Sequence, residues 1–79
     1  MLYSVRNVVW VGDRLKMAGN AEPKGLVIEL VPEPASPGQR RLYSVRTPDG
    51  LMSPPMLRPR ARWRAEQVLL DIANAPEVF

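Results

Sequence analysis

Glycine and proline recur at short intervals along this chain and limit it to short elements joined by tight turns. Nine prolines and five glycines occur in 79 residues. Gly12-Asp13 and Pro48-Asp49-Gly50 are typical of β-turns, because proline fixes one φ angle and glycine permits a positive one. Three prolines between Pro32 and Pro37 prevent regular strand pairing there. The first 59 residues therefore favour short strands.

The segments between these turns carry the apolar and β-branched residues of strands. We predict strands over residues 2–11, 14–18, 26–31, 41–47 and 51–52. The alternating pattern of 14–18 predicts a strand buried on one face. The nearly continuous apolar run of 26–31 predicts a strand buried on both faces. Residues 19–25 have the composition of a loop.

An exact internal repeat occurs within two of these predicted strands. Leu2-Tyr3-Ser4-Val5-Arg6 recurs as Leu42-Tyr43-Ser44-Val45-Arg46. No longer similarity surrounds the two copies, so this is not a repeat architecture. We predict that both copies are strands, with the tyrosine and valine on one face and the other three residues on the opposite face.

After Pro59 the composition changes to that of a helix. Residues 60–74 contain no proline or glycine and are rich in good helix formers, and Pro76 is a stop signal. A spacing of about 100° per residue places one apolar stripe against the strands. The stripe consists of Ala61, Ala65, Val68, Leu69 and Ile72. Trp63 and Leu70 fall together on the opposite side, where a docked helix does not need apolar residues.

The composition excludes several kinds of chemistry. The chain has no cysteine and no histidine, which excludes disulfides, the usual zinc sites and the commonest general base. No stretch of about 18 apolar residues occurs, and the N-terminus lacks a secretory pattern. We therefore expect a cytoplasmic protein of one domain that spans no membrane, binds no metal or cofactor and is not an enzyme.

Three short motifs share their arrangement with a known fold. Gly12-Asp13-Arg14-Leu15-Lys16 is similar to an opening strand, Asp49-Gly50 to a hairpin turn and Leu57-Arg58-Pro59 to a closing segment. Together they resemble the small SH3-like barrels, the superfamily that includes Tudor-like and KOW-type modules. The resemblance implies a fold and no particular activity.

The expected fold is therefore mainly β. We predict a single SH3-like β-barrel of about five short strands over residues 1–59. A C-terminal α-helix over 60–75 packs on the barrel within the same domain, and 76–79 form a tail.

One enzyme family has a similar layout. Gly12 and Gly25 have the same spacing as two glycines of the plasmid-borne type II dihydrofolate reductases, which are SH3-like tetramers with one central pore. That family relies on a lysine where this chain has Met17, and its Val-Gln-Ile-Tyr segment has no counterpart in residues 51–54. The resemblance implies a shared fold, and an oligomeric reductase-like enzyme is a remote alternative.

The leading functional prediction is a small non-enzymatic binding module that acts through protein–protein interaction or self-association. Tryptophan and methionine are enriched at interface cores, and a small domain gains stability by pairing. The interface candidates are Trp63, Leu70, Met52 and Met56. The expected partner is a second copy of this chain or another protein.

The alternative prediction is nucleic-acid binding through an arginine-rich face. The chain carries a net charge of +3, and seven arginines but only one acid lie between Arg40 and Arg64. Arginines that neutralise phosphates beside an aromatic ring would provide such a surface. The candidates are Arg40, Arg41, Arg46, Arg58, Arg60, Arg62, Arg64 and Tyr43. A solvated basic face that keeps the protein soluble explains the same charges.

Overall fold

Five short strands form one antiparallel sheet, and a helix packs on one face of it. The computed structural model describes residues 3–19 and 26–75. The elements are a 3₁₀ helix (Val5–Asn7), β1 (Val8–Val11), β2 (Arg14–Met17), β3 (Val27–Pro32), β4 (Leu42–Arg46), β5 (Met56–Leu57) and α1 (Arg58–Ala73). Strands that are adjacent in sequence are adjacent in the sheet. The predicted mainly β architecture with a C-terminal helix is confirmed.

The sheet is not closed into a barrel. Among the described strands, β1 pairs with β2 alone and β5 with β4 alone, so each forms an edge. The predicted SH3-like closure is therefore not confirmed. Most of the loop predicted at 19–25 lies outside the described residues.

The β1–β2 turn follows directly from its two residues. Gly12 has a φ of 61°, and no non-glycine residue described here has a positive φ. A positive φ at the first turn position followed by a negative one is the type II′ arrangement, whose twist matches that of paired strands. Val11 and Arg14 therefore pair directly, and the turn predicted at Gly12-Asp13 is confirmed.

The core lies between the sheet and α1. The residues of β2 and β3 alternate between buried and partly exposed positions, so β3 is buried on one face and the prediction of two buried faces is wrong. The buried side chains are Leu15, Met17, Ile28, Leu30 and Val45 from the sheet, and Ala61, Ala65 and Leu69 from the helix. Two small alanines allow the helix backbone to approach the sheet closely.

The predicted helix stripe is correct except at its last member. Val68 is partly buried against the core, as expected. Ile72 is 40% exposed, and its predicted docking on the sheet is wrong. Ala73, the next residue, packs against the core instead. The face that contacts the sheet thus shifts slightly around the helix axis toward its C-terminal end.

The predicted strand at 2–11 is wrong in its first half. Ser4 Oγ accepts a hydrogen bond from the Arg6 N–H, and Asn7 Oδ1 accepts one from the Ser4 N–H. This reciprocal capping stabilises the 3₁₀ helix and prevents an extended backbone. The first copy of the repeat therefore does not form a strand, and the prediction of two equivalent strands is wrong.

The predicted last strand at 51–52 is displaced. Met52 forms one isolated bridge with Arg46, and the strand proper follows at Met56–Leu57. Arg46 pairs with Met52, and Tyr43 pairs with Met56. The two β4 residues are three positions apart in sequence, whereas their partners are four positions apart. The extra residue is a bulge at Pro54-Pro55, which cannot donate ladder hydrogen bonds.

The helix begins two residues earlier than predicted. Leu57 is its N-cap, and Pro59 occupies the first turn, where a missing N–H removes no intrahelical bond. The Leu57-Arg58-Pro59 motif therefore ends β5 and starts α1. Its interpretation as a segment that closes a barrel is not confirmed.

Candidate functional site

A pocket lies between α1 and the hairpin segment that follows β4. Its volume is about 240 Å³. The hairpin contributes Leu51, Met52, Ser53 and Pro54, and the helix contributes Arg64 and Val68. Most of these side chains are apolar, so the pocket favours an apolar group.

Hydrogen bonds fix the hairpin side of this pocket. Thr47 N–H donates to the Leu51 carbonyl at 2.9 Å, and Gly50, with a φ of 90°, makes the turn between them. Ser53 Oγ accepts the Val45 N–H at 2.8 Å, and the Ser53 N–H donates to the Val45 carbonyl at 2.9 Å. Ser53 thus pairs through its backbone and its side chain, and the pocket wall is held to β4.

The apolar side chains at the pocket are not fully covered. Leu51 is 66% exposed and Met52 is 46% exposed. If a partner buried both side chains, each Å² of apolar surface removed from water would stabilise the complex by roughly 25 cal/mol. Leu51 has the highest fractional exposure of the large apolar side chains among the described residues.

Arg64 supplies the charged group at the pocket. It is exposed. The ion pairs between described residues use Arg14, Arg46 and Arg58, and none uses Arg64. Its guanidinium is therefore available to a carboxylate, which it can bind with two parallel hydrogen bonds.

The four interface candidates from the sequence do not form one patch. Met52 lies at the pocket, and Trp63 is 51% exposed on α1, about 100° around the helix from Arg64. Leu70 is half-buried. Met56 is half-buried, packs against the core and pairs with Tyr43. Met52 and Trp63 are thus the more exposed members of the set.

The arginines lie on several surfaces. Arg46 Nη1 lies 3.5 Å from Glu29 Oε1 on the sheet face opposite α1. Arg58 Nη2 lies 2.9 Å from Asp13 Oδ1, and its Cζ is 5.6 Å from the ring centroid of Tyr43. Carboxylates therefore partly neutralise two of the candidate arginines.

The other candidate arginines lie on α1 or in the connection before β4. Arg60 Cζ is 5.4 Å from the Trp63 ring, and Arg62 Cζ is 4.8 Å from the Trp10 ring. Arg40 and Arg41 are exposed, and Arg41 Nη1 donates to the Glu33 carbonyl at 3.4 Å. The helix arginines and Arg46 therefore lie on opposite sides of the sheet.

Six of the eight residues that line the pocket are not among the candidates from the sequence: Val45, Thr47, Leu51, Ser53, Pro54 and Val68. Leu51 falls in the predicted strand at 51–52, and Ser53 and Pro54 directly follow it. An apolar pair directly after the Asp49-Gly50 turn and before two prolines was the available signal. Such a pair cannot enter a regular sheet interior, so it remains at the surface.

Comparisons with known proteins give no relative for this chain: no protein-family model, curated protein or solved structure matches it significantly. In the described ranges, no three acidic, histidine or cysteine side chains are grouped so that they could hold a metal ion. The described helix α1 is too short and too polar to cross a bilayer.

Proposed function

We propose that this chain is a small non-enzymatic binding module that acts through protein–protein contact at the pocket between α1 and the hairpin after β4. The observation that carries the proposal is the combination of exposed Leu51 and Met52 with the guanidinium of Arg64, which forms no ion pair with another described residue. We infer that the partner segment presents an apolar side chain next to a carboxylate.

The size of the pocket supports a peptide side chain as the occupant. Small-molecule sites usually enclose about 300–1,000 Å³, and this pocket, with about 240 Å³, is smaller. It suits one or two side chains of a partner whose remaining contacts lie outside. The exposed Trp63, nearby on α1, supplies the kind of residue that often dominates binding energy at such surfaces.

Selection from a random peptide library displayed on phage, with this chain immobilised, tests the proposal. We expect enriched peptides to combine a large aliphatic or aromatic residue with Asp, Glu or a free C-terminal carboxylate. Their affinities are then measured by fluorescence polarisation. Leu51→Asp and Arg64→Gln should each raise the Kd by about tenfold or more, because each removes one of the two complementary features.

Arg40→Gln is the matched control, since it removes an exposed arginine that does not line the pocket. It should leave the Kd unchanged within about twofold. Peptides without the apolar-acidic pattern, or binding that tolerates both Leu51→Asp and Arg64→Gln, would contradict the proposal.

A second candidate function is nucleic-acid binding, favoured by the exposed Arg60–Trp63 pair. An aromatic ring beside an arginine can stack on an unpaired base while the guanidinium contacts a phosphate. Single-stranded DNA or RNA should then bind more weakly as salt rises, and replacing Arg60, Arg62 and Arg64 by glutamine should reduce the slope of that dependence. Absence of binding at low salt would exclude this function.

We further propose, as a matter of ancestry, that the five-stranded sheet is related to SH3-like barrels. The support is the order of short antiparallel strands joined by the Gly12-Asp13 and Asp49-Gly50 turns. A cytoplasmic location also stays a prediction, supported by the absence of cysteine.

A further inference from the structure

The two edges of the sheet differ in how far they prevent pairing with another strand. The β5 edge is two residues long, and the segment before it contains Pro54 and Pro55 and a bulge. Short strands, prolines and bulges are the features that protect edges from association. β1 consists of Val8, Val9, Trp10 and Val11 and has neither a proline nor a charged residue.

The hydrogen bonds of the first hairpin show which backbone groups of β1 point outward. The Ala18 N–H donates to the Asn7 carbonyl at 2.8 Å, so Asn7 faces β2. In an antiparallel pair the backbone groups of alternate residues face the partner. Val9 and Val11 therefore also bond to β2, and the N–H and C=O groups of Val8 and Trp10 point toward the open edge.

The side chains of β1 leave this edge accessible. Val9 is 38% exposed and Val11 is 56% exposed, both on the sheet face opposite α1. The helix lies mainly over β3 and β4, and no described strand pairs with the outer side of β1. On the helix side, the Trp10 ring is held in place because its Nε1 donates to Glu66 Oε2 at 3.0 Å and Arg62 covers its face.

We propose that two copies of this chain pair through β1 as antiparallel edge strands, about a two-fold axis that passes through Val9. Val8 of each copy then lies opposite Trp10 of the other. Both residues present their N–H and C=O groups to the edge, so this register forms four backbone hydrogen bonds. The two Val9 side chains meet at the axis on the face opposite the helices.

Self-complementarity identifies a second copy as the occupant. A two-fold axis perpendicular to the sheet requires residues of the same face to oppose each other, so it passes through a residue of the strand, and the two central residues of β1 are Val9 and Trp10. An axis through Trp10 would place Val8 opposite Gly12, which lies in the turn. The axis through Val9 keeps all four bonds within β1, and the absence of charge in the strand removes like-charge repulsion.

This assembly goes beyond the proposed peptide site and leaves it open. The pocket is formed by α1 and the segment after β4, at the other side of the sheet from β1. Because β5 is protected, assembly ends at two copies. A dimer built on one pair of four-residue strands buries little surface, so we expect a weak dimer, with a Kd of roughly 10–100 µM.

Charge substitution at the axis tests the proposal. Val9→Lys and Val9→Glu each place two like charges side by side, and each should raise the dimer Kd at least about tenfold. An equimolar mixture of the two variants should form a heterodimer again, because opposite charges then meet. Sedimentation velocity up to about 1 mM protein measures all three samples.

Leu51→Lys is the charge-matched control. It adds a lysine at an exposed apolar position away from β1, and the dimer Kd should stay within about twofold. Val9→Glu should keep the fold intact, because the new carboxylate lies opposite Lys16 of the same copy. Loss of peptide binding in Leu51→Lys with an intact dimer would separate the two proposals.

Amide hydrogen exchange provides an independent measurement. In the dimer, the amides of Val8 and Trp10 should exchange more slowly as protein concentration rises, whereas those of Val9 and Val11 are protected at every concentration. The proposal is overturned by a monomer at all concentrations, by an assembly larger than two, or by a dimer that persists in both Val9 variants. A mixture that fails to associate would also overturn the Val9 axis.

Discussion

The two copies of the same pentapeptide have different structures in this molecule. Tyr3, Ser4, Val5 and Arg6 belong to the first copy, which enters a 3₁₀ helix, whereas the second copy is strand β4. Val5 is 55% exposed and Val45 is 1% exposed. Identical side chains thus contribute to a cap in one place and to the core in the other.

The neighbours of each copy explain the difference. β4 lies between β3 and the segment that contains β5, so its backbone groups have partners on both sides. The first copy has Asn7 directly after it, whose amide completes a capping box with Ser4. Local propensity is therefore a weak constraint, and the available hydrogen-bond partners determine the structure.

The valines should show the largest difference between the two copies in their contribution to the free energy of unfolding. Val45→Ala should lower the free energy of unfolding by about 2–3 kcal/mol, because it removes buried methyl groups and leaves a cavity. Val5→Ala should change it by less than about 0.5 kcal/mol. Urea unfolding followed by circular dichroism measures both. Equal effects would show that the first copy is as well packed as the second.

An intermediate difference is expected at the serines. Ser44 is 1% exposed and its Oγ donates to Glu33 Oε1 at 2.7 Å, so Ser44→Ala should destabilise the fold by about 1–2 kcal/mol. Ser4→Ala removes a cap and should cost about 0.5–1 kcal/mol.

Thermal unfolding of the two serine variants distinguishes these values. Glu33→Gln serves as the control, because its side-chain oxygen can still accept the Ser44 hydroxyl. It should retain most of the stability that Ser44→Ala loses. A larger loss in Ser4→Ala than in Ser44→Ala would reverse the comparison.

The smallest difference is expected at the arginines. Arg46 and Arg14 both approach Glu29, at 3.5 and 3.7 Å, on a partly exposed face. Arg46→Ala should therefore cost only about 0.2–1 kcal/mol, and the loss should shrink in 1 M salt because exposed ion pairs are screened. Arg6→Ala should show no salt-dependent change. Melting temperatures at low and high salt compare the two.

Much of the fold could be predicted from the sequence because its signals are local. The turns at Gly12-Asp13 and Pro48-Asp49-Gly50 need only glycine and proline geometry, and the helix stripe through Ala61, Ala65 and Leu69 needs only its period. The 3₁₀ helix was missed because β-branched residues around Ser4 outweighed its capping pattern. Whether the sheet closes into a barrel depends on contacts between strands that are distant in sequence, and no local pattern encodes those contacts.

The candidate site was less predictable than the fold. Met52 and Arg64 were each selected from the sequence, but for different functions, and their meeting at one pocket follows from the packing of α1 on β4. The open edge at β1 was also not visible, because strand order must be known before an edge can be identified. Residue chemistry thus indicates which side chains are candidates, and only the topology shows which of them lie together.

Two hydrogen bonds join Tyr3, the first described residue, to Asn74 at the C-cap of α1, and they have a consequence for folding kinetics. The strands pair with their sequence neighbours, so the sheet requires only short loop closures and should fold rapidly. The Asn74 side chain, by contrast, accepts from the Tyr3 N–H at 2.6 Å and donates to its carbonyl at 2.9 Å across 71 positions of sequence. We expect this contact to form after the transition state, so that Asn74→Ala accelerates unfolding and leaves the refolding rate unchanged in stopped-flow measurements.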